Sequence, residues 1–245
     1  MSLAIAVYVP EGIVMASDSR ESITIERKTP EGKDFKVETV NSDAVNKTFR
    51  LEKQRLGISS FGQAALAGQP IASFVKSFVE GQLIAGDNVE TVSQKLFAYL
   101  RSSFPKADTG FHVAGYKIEG QLSMPYVYYC HIARNELVRR NVNPDGSLSY
   151  GAAWSGEIDI LTSILNPVTH KDETGTEKVI RAVAPVAWDV MPLQDAIDFA
   201  IYAIQTTIDT MRFQARAKTV GGPIDVLALT PEEAKWIQKK ELRGR

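Results

Sequence analysis

The opening of the chain sets the strongest limit on its fold. Leu3 to Val9 is an unbroken apolar run, Ile13 to Ala16 is a second, and Pro10-Glu11-Gly12 separates them. Proline followed two positions later by glycine is tight-turn chemistry, so the pair is expected to form a β-hairpin. Neither run alternates apolar with polar residues. Strands of that kind are covered on both faces, so the fold must supply a packed layer on each side of the hairpin. Ser2 stands immediately upstream of the first strand. Methionine before a small side chain is readily removed by aminopeptidases, and Ser2 is therefore expected to become the mature N-terminus. A serine there carries a hydroxyl and a free α-amine on one residue. The amine titrates at about 7.7–8.0 in model peptides, so it can serve as general base for its own hydroxyl.

The second strand continues as Gly12-Ile-Val-Met-Ala-Ser-Asp18-Ser-Arg20. This stretch resembles the start of the proteasome β subunits and their bacterial relatives, the protease of the HslUV pair and the Anbu-type homologues. All are N-terminal nucleophile hydrolases. Their pattern is a nucleophile opening a strand, a short turn, then glycine, three apolar residues, alanine, any residue and Asp-Ser-Arg. Counting back from Asp18 without a gap places the nucleophile on Ser2, where the family usually has threonine. Losing the methyl group frees χ1, so the hydroxyl is less firmly oriented.

The resemblance continues at Asn46-Lys47-Thr48-Phe49-Arg50-Leu51, at Ser155-Gly156 and at Gly221-Gly-Pro-Ile-Asp-Val226. It implies that Lys47 lowers the cost of the alkoxide developing on Ser2. Asp18 is implied to orient that ammonium through a charge-assisted bond, with Arg20 buttressing the same loop. Ser155 is implied to hydrogen-bond near the nucleophile's amine; read without the resemblance, the same serine is a helix cap. Oxyanion and substrate contacts are implied for Ser60, Gly62, Gly156 and Ser22. The bend from Ser60 to Gly62 is the candidate source of backbone N–H donors, and Ser60 takes the place of the usual glycine. Ser22 matches the residue whose backbone pairs with an extended substrate. One position departs from the pattern: the family's aspartate before Gly-Gly falls on Ala217, between Arg216 and Lys218.

The remaining chain alternates between strand and helix signals. Ser22 to Glu26 and Phe35 to Val40 are expected to pair around a turn at Thr29-Pro-Glu-Gly-Lys33. Leu56 to Gly62 is a strand leading into a helix whose inward face is Ile71, Phe74, Val75, Phe78 and Val79. Asp87-Asn-Val-Glu90 has capping-box form, and the apolar stripe after it stops at Pro105. Strands are expected at Gly110 to Ile118, Pro125 to Ala133, Leu137 to Asn141 and Ser147 to Ala153. A short helix spans Glu157 to Leu165, and 166–190 reads as a charged loop. Met191 opens a long helix ended by Thr219-Val-Gly-Gly222, Pro223 to Leu229 is the last core strand, and Pro231 to Lys240 is a terminal helix. This order predicts an α+β fold, a four-layer αββα sandwich of two antiparallel sheets with helices outside. Each sheet then has the other sheet on one face and helices on the other, as the first hairpin requires. A single domain over 1–245 is expected.

Composition removes several classes. The formal net charge is −1, with basic residues spread along the chain, so neither nucleic acid nor an anionic membrane is expected as a partner. No apolar run reaches spanning length. The single cysteine, Cys130, forms no internal disulfide and fits a reducing compartment. With no basic segment ahead of the hairpin, a cytoplasmic location is expected. His112, His131 and His170 lack metal-ligand spacing, and Cys130 reads as packed core. No cofactor is expected. There is no Gly-x-x-x-x-Gly-Lys motif, so any ATP-driven unfolding belongs to a separate ATPase. The expected function is a peptidase with Ser2 as nucleophile, acting on peptide or unfolded protein. A homo-oligomeric ring is implied by the resemblance. The alternatives are other amidase or peptide-ligase chemistry on the same site, and a catalytically silent ring subunit.

Overall fold

The computed structural model describes residues 2–28 and 32–241. Met1 and residues 29–31, which hold most of the turn expected at Thr29 to Lys33, lie outside them. β1 (Leu3–Val9) and β2 (Gly12–Ser17) form the first hairpin, in register from Ala4 opposite Ser17 to Val9 opposite Gly12. β3 (Glu21–Lys28) and β4 (Asp34–Ser42) form a second, which is a two-stranded sheet of its own. Next come β5 (Thr48–Leu51), β6 (Leu56–Gly62) and the short pair β7 (Ala65–Leu66) and β8 (Gln69–Pro70). Helices α1 (Ile71–Gln82) and α2 (Val89–Ser103) follow. They lead into β9 (Thr109–Glu119), β10 (Leu122–His131), β11 (Glu136–Arg139) and β12 (Gly151–Gly156). The last third holds α3 (Asp159–Leu165), β13 (Val168–Lys171), β14 (Glu177–Arg181), α4 (Leu193–Phe213), β15 (Asp225–Leu229) and β16 (Ala234–Gln238).

Two five-stranded sheets carry the core, in the orders β12-β1-β2-β15-β16 and β11-β10-β9-β6-β5. Every pairing in them is antiparallel. The first hairpin explains its own composition. Leu3, Ile5, Val7 and Val9 pack with Ile160 and Leu161 of α3 and with Ala200 and Ile204 of α4. The intervening Ala6 and Tyr8, with Ile13 and Met15 of β2, pack instead with Ala114 and Val127 of the other sheet. Successive side chains of a strand point to opposite faces, so the unbroken apolar run fills two packing layers at once. Each large side chain buried this way contributes about 1.5–3 kcal/mol. On the far face of the second sheet, Ile58, Phe111 and Tyr128 pack with Val75 and Phe78 of α1 and Leu96 and Leu100 of α2.

The C-terminal segment differs from the sequence reading. The terminal helix expected over 231–240 is a strand, β16, paired with β15. Pro231-Glu-Glu has helix-start chemistry, and Thr230 Oγ1 does accept the Glu232 and Glu233 amides at 3.3 and 3.2 Å. Those bonds close a turn rather than open a helix. The free edge of β15 offers a ladder, and Trp236 opposite Leu227 joins the cluster between the sheets. Tertiary pairing outweighs a short stretch of helix propensity.

Smaller differences have local causes. Within the expected 166–190 loop, β13 and β14 pair as a hairpin. The cap of α2 is Asn88, one residue later than the capping-box reading. Asn88 Oδ1 accepts from the Glu90 and Thr91 amides, and Thr91 Oγ1 accepts from the Asn88 amide at 3.0 Å. Asp87 is drawn away to Lys95 at 2.7 Å. The long helix α4 ends at Phe213, which leaves enough chain to return Gly221 to the first hairpin.

Candidate active site

Asp18 follows β2 directly and is fully buried. Its carboxylate is the hub of the region. Oδ1 accepts the Lys47 ammonium at 2.7 Å and the Leu3 amide at 3.0 Å. Oδ2 accepts the Arg20 amide at 3.1 Å and the Gly221 amide at 3.0 Å. A carboxylate offers about four acceptor sites, so Asp18 is saturated and the burial of its charge is compensated. Leu3 is the residue after Ser2. Asp18 therefore holds the Lys47 ammonium one carboxylate oxygen away from the backbone adjoining Ser2.

Lys47 is 3% exposed. Burial pulls its pKa below the ordinary lysine value, against the opposing pull of Asp18. It stands just before β5, and its carbonyl accepts the Ser60 amide at 2.8 Å. A chain of buried hydroxyls reinforces the same corner: Ser17 Oγ to Thr48 Oγ1 at 2.7 Å, and Thr48 Oγ1 to Ser59 Oγ at 2.8 Å. It ties β2 of one sheet to β5 and β6 of the other. Arg20 makes a two-point contact with Asp43 at 2.6 and 2.8 Å and donates to the Lys218 carbonyl at 3.0 Å.

Ser2 is 3% exposed. Its carbonyl accepts the Glu157 amide at 2.9 Å, while its hydroxyl has no hydrogen-bond partner among the described residues. Ser155 pairs with Ala4 across β12 and β1. Gly156, at φ +102°, passes so close that a Cβ would overlap the Ser2 carbonyl oxygen. Glycine is the residue that fits there on both counts.

The bend after β6 separates Ser60 from Gly62. The Ser60 N–H is already spent on the Lys47 carbonyl. The Phe61 carbonyl accepts from Thr109 Oγ1 at 3.0 Å. In a trans peptide the next N–H points the opposite way, so the Gly62 N–H is turned away from Thr109. Gly62 has φ +85°, and a Cβ there would overlap the Asp108 carbonyl oxygen. Ser22 lies elsewhere, in β3 opposite Val40, and its hydroxyl donates to Glu38 at 2.8 Å. It lines neither of the two hollows that meet at Ser2.

Sequence reasoning missed three supports. Arg216 beside Ala217 pairs with Glu157 at 2.6 Å and with Asp159. The loop after Ser155-Gly156 is thus held by the Arg216 cation, next to Ala217, where an acid was sought. The opposite charges of Arg216 and Glu157 were the only available signal. Second, Asp225 is fully buried and bonds Lys239 at 2.9 Å and Lys240, whose ammonium also reaches Ser19 Oγ at 2.9 Å. Misreading 231–240 as a helix hid this clamp. The third is His112, at the larger hollow.

That hollow has a volume of about 680 Å³, and Ser2, Ser155 and Gly156 are among the residues lining it. Tyr8, His112, Tyr129, Arg134, Arg140 and Trp154 also line it. The smaller cleft is lined by Val45, Lys47, Ser60 and Ile71, and Ser2, Phe61 and Gly62 border both. His112 is fully buried between Phe61 and Tyr129, at ring distances of 5.3 and 5.9 Å, and neither ring nitrogen has a partner among the described residues. Burial, aided by Arg140, lowers its pKa to about 3. Cys130, by contrast, is sealed in the core with its thiol pushed up to about 12 by burial, so it is inert packing.

His112 makes stability depend on pH. Its folded pKa lies below its unfolded value of about 6.5, so the unfolded chain takes the proton first. The contribution is fully present above about pH 6.5 and lost as pH falls toward 3, at about 1.4 kcal/mol per unit. By pH 5 the expected loss is about 2 kcal/mol. Urea unfolding of wild type and His112→Leu across this range should show a shallower pH slope for the variant; equal slopes would contradict the assignment.

The sheets and helices form an α+β fold similar to that of solved Anbu structures. Among solved structures, the chain is similar to an Anbu mutant from Hyphomicrobium sp. strain MC1, with a TM-score of 0.59 and 18% identity over 97% of this chain and 87% of that one. It is similar also to Anbu, described as an ancestral β-subunit, from Yersinia bercovieri, with a TM-score of 0.57 and 16% identity over 98% and 88% of the two chains. No protein-family model and no curated protein matches the chain. No helix among the described residues is long and apolar enough to cross a membrane.

Proposed function

We propose that the chain is a proteasome-like N-terminal nucleophile peptidase, with Ser2 as nucleophile once Met1 is removed. Its two sheets and flanking helices form one four-layer αββα domain over 1–245. The observation that carries the reading is the saturated Asp18, which binds Lys47 and the backbone beside Ser2 through one oxygen. In the proposed reaction, Ser2 Oγ attacks the carbonyl carbon of a peptide bond and its proton passes to the Ser2 α-amine. The oxyanion takes the Gly62 N–H, and the buried Lys47 ammonium stabilises the alkoxide. The C–N bond breaks as the α-amine returns the proton to the leaving nitrogen. Water then hydrolyses the Ser2 ester and regenerates the hydroxyl. Ser155, Gly156 and the Arg216-Glu157 pair position the Ser2 backbone. Ser22 remains proposed as a backbone contact for extended substrate, beyond the immediate site.

The proposal includes a cytoplasmic homo-oligomeric ring and, for folded substrates, a separate ATPase. The β3–β4 hairpin supports assembly, because Ile23, Phe35, Val37 and Val40 are exposed on a sheet paired only with itself. An epoxyketone needs both hydroxyl and α-amine on one residue, so it tests the mechanism at single-residue resolution. Wild type should form a covalent adduct on Ser2 and sediment as a large oligomer, and Ser2→Ala should not label. Equal labelling of both, or none in Met-free wild type, would refute the reading. Arg216 and Ala217 in place of the sought acid favour one rival, a silent ring subunit, and absent labelling within an intact oligomer would establish it.

A further inference from the structure

The larger hollow beside Ser2 holds more unsatisfied polar chemistry than a passage for chain requires. His112 lines it with both ring nitrogens unpartnered at full burial. An unmade hydrogen bond in such a place is costly. Arg140 lies with its guanidinium 4.5 Å from the Tyr129 ring centre, and neither Arg140 nor Arg134 has a carboxylate partner among the described residues. The single acid on the lining, Asp108, already faces His131 at 3.3 Å. The hollow therefore carries two guanidinium groups against one carboxylate, a net positive lining. His131 does not add to that charge near neutrality, because burial and Arg134 lower its pKa. Tyr8, Phe61, Tyr129 and Trp154 supply flat apolar walls. The volume, about 680 Å³, is that of a site for a small molecule or a few residues of peptide.

We propose that this hollow is the leaving-group site, and that it selects peptides ending shortly after the cut bond in an aromatic residue with a free α-carboxylate. The inference rests on the Ser2 reading above for its catalytic meaning. Arg140 engages the terminal carboxylate through its planar fork of donors. The aromatic side chain stacks among the ring walls. A leaving group carrying a cation in place of the carboxylate is excluded by the same two arginines. The activity becomes the release of short C-terminal pieces in preference to cuts deep inside a chain.

Binding is measured by calorimetry on Ser2→Ala protein, where no covalent step can intervene. The probes are glycyl-phenylalanine and its C-terminal amide. The acid is expected to bind at least about tenfold more tightly than the amide. Arg140→Gln should abolish the acid's advantage over the amide. Equal affinities for acid and amide, binding of neither, or an unchanged preference in Arg140→Gln would each overturn the proposal. The acid–amide comparison needs no substitution in the hollow, so it decides the matter even if Arg140→Gln folds poorly. Failure here is distinct from failure of the Ser2 mechanism, which the epoxyketone reads separately on wild type.

Discussion

Asp18→Ala should lower stability by about 3–5 kcal/mol, a loss typical of breaking a buried ion pair from one side. The carboxylate has no exposure, and Lys47 beside it is 3% exposed. Removing the acid leaves a buried ammonium without its counter-charge. It also strips the acceptor from the Leu3, Arg20 and Gly221 amides. Each unsatisfied buried donor costs about 1–3 kcal/mol where water cannot reach it. Asp18→Asn should be nearly as harmful, because its amide group presents donors where donors already converge. Lys47→Met should cost less, since three backbone N–H groups still solvate the remaining carboxylate. Urea unfolding at a fixed protomer concentration checks the order, which also protects the comparison from effects of assembly. For a chain of this size the Asp18→Ala loss corresponds to a fall in thermal midpoint of roughly 6–20 °C. A loss under about 1 kcal/mol would mean that the hub does not organise this corner.

Ser2→Ala should do the reverse. The Ser2 hydroxyl bonds to nothing among the described residues, and the Ser2 backbone contact to Glu157 survives the change. Stability is expected to move by less than about 0.5 kcal/mol. Turnover of an unfolded protein substrate should fall at least about 10⁴-fold, because the attacking oxygen is gone. The contrast separates the two roles: Asp18 builds the site, and Ser2 reacts in it.

Much of this was readable in the residues because local and global demands agree. The Leu3 to Ser17 hairpin is apolar on both faces for the reason its two packing clusters give. The stripes Ile71 to Val79 and Val89 to Leu100 became α1 and α2 because their period matches a helix. Asp18 and Lys47 were legible only through the motif resemblance around Asp18-Ser-Arg20 and Asn46-Lys47-Thr48, since an acid before a turn or a lysine at a strand start reads alone as an ordinary surface charge; the fold brings the two to 2.7 Å. Other features depend on partners far away in sequence. The segment 231–240 has helix-start chemistry, and only the open edge of β15 decides for a strand. Arg216 reads as a surface charge until the fold brings Glu157 and Asp159 to it. Ser60 and Gly62 look equivalent as oxyanion donors until the Lys47 carbonyl claims the first. His112 sits in an ordinary strand pattern, and its burial without a partner is a property of packing alone.

The central claim is that Ser2 acts through its own α-amine, so the state of that amine tests it most directly. Intact-mass and N-terminal peptide analysis of the natively expressed protein should show chains beginning at Ser2 with an unblocked amine. The same molecules should carry the epoxyketone on Ser2 after incubation. Chains that all retain Met1, or anything else on the Ser2 nitrogen, would have no base beside the hydroxyl. That result would contradict the mechanism.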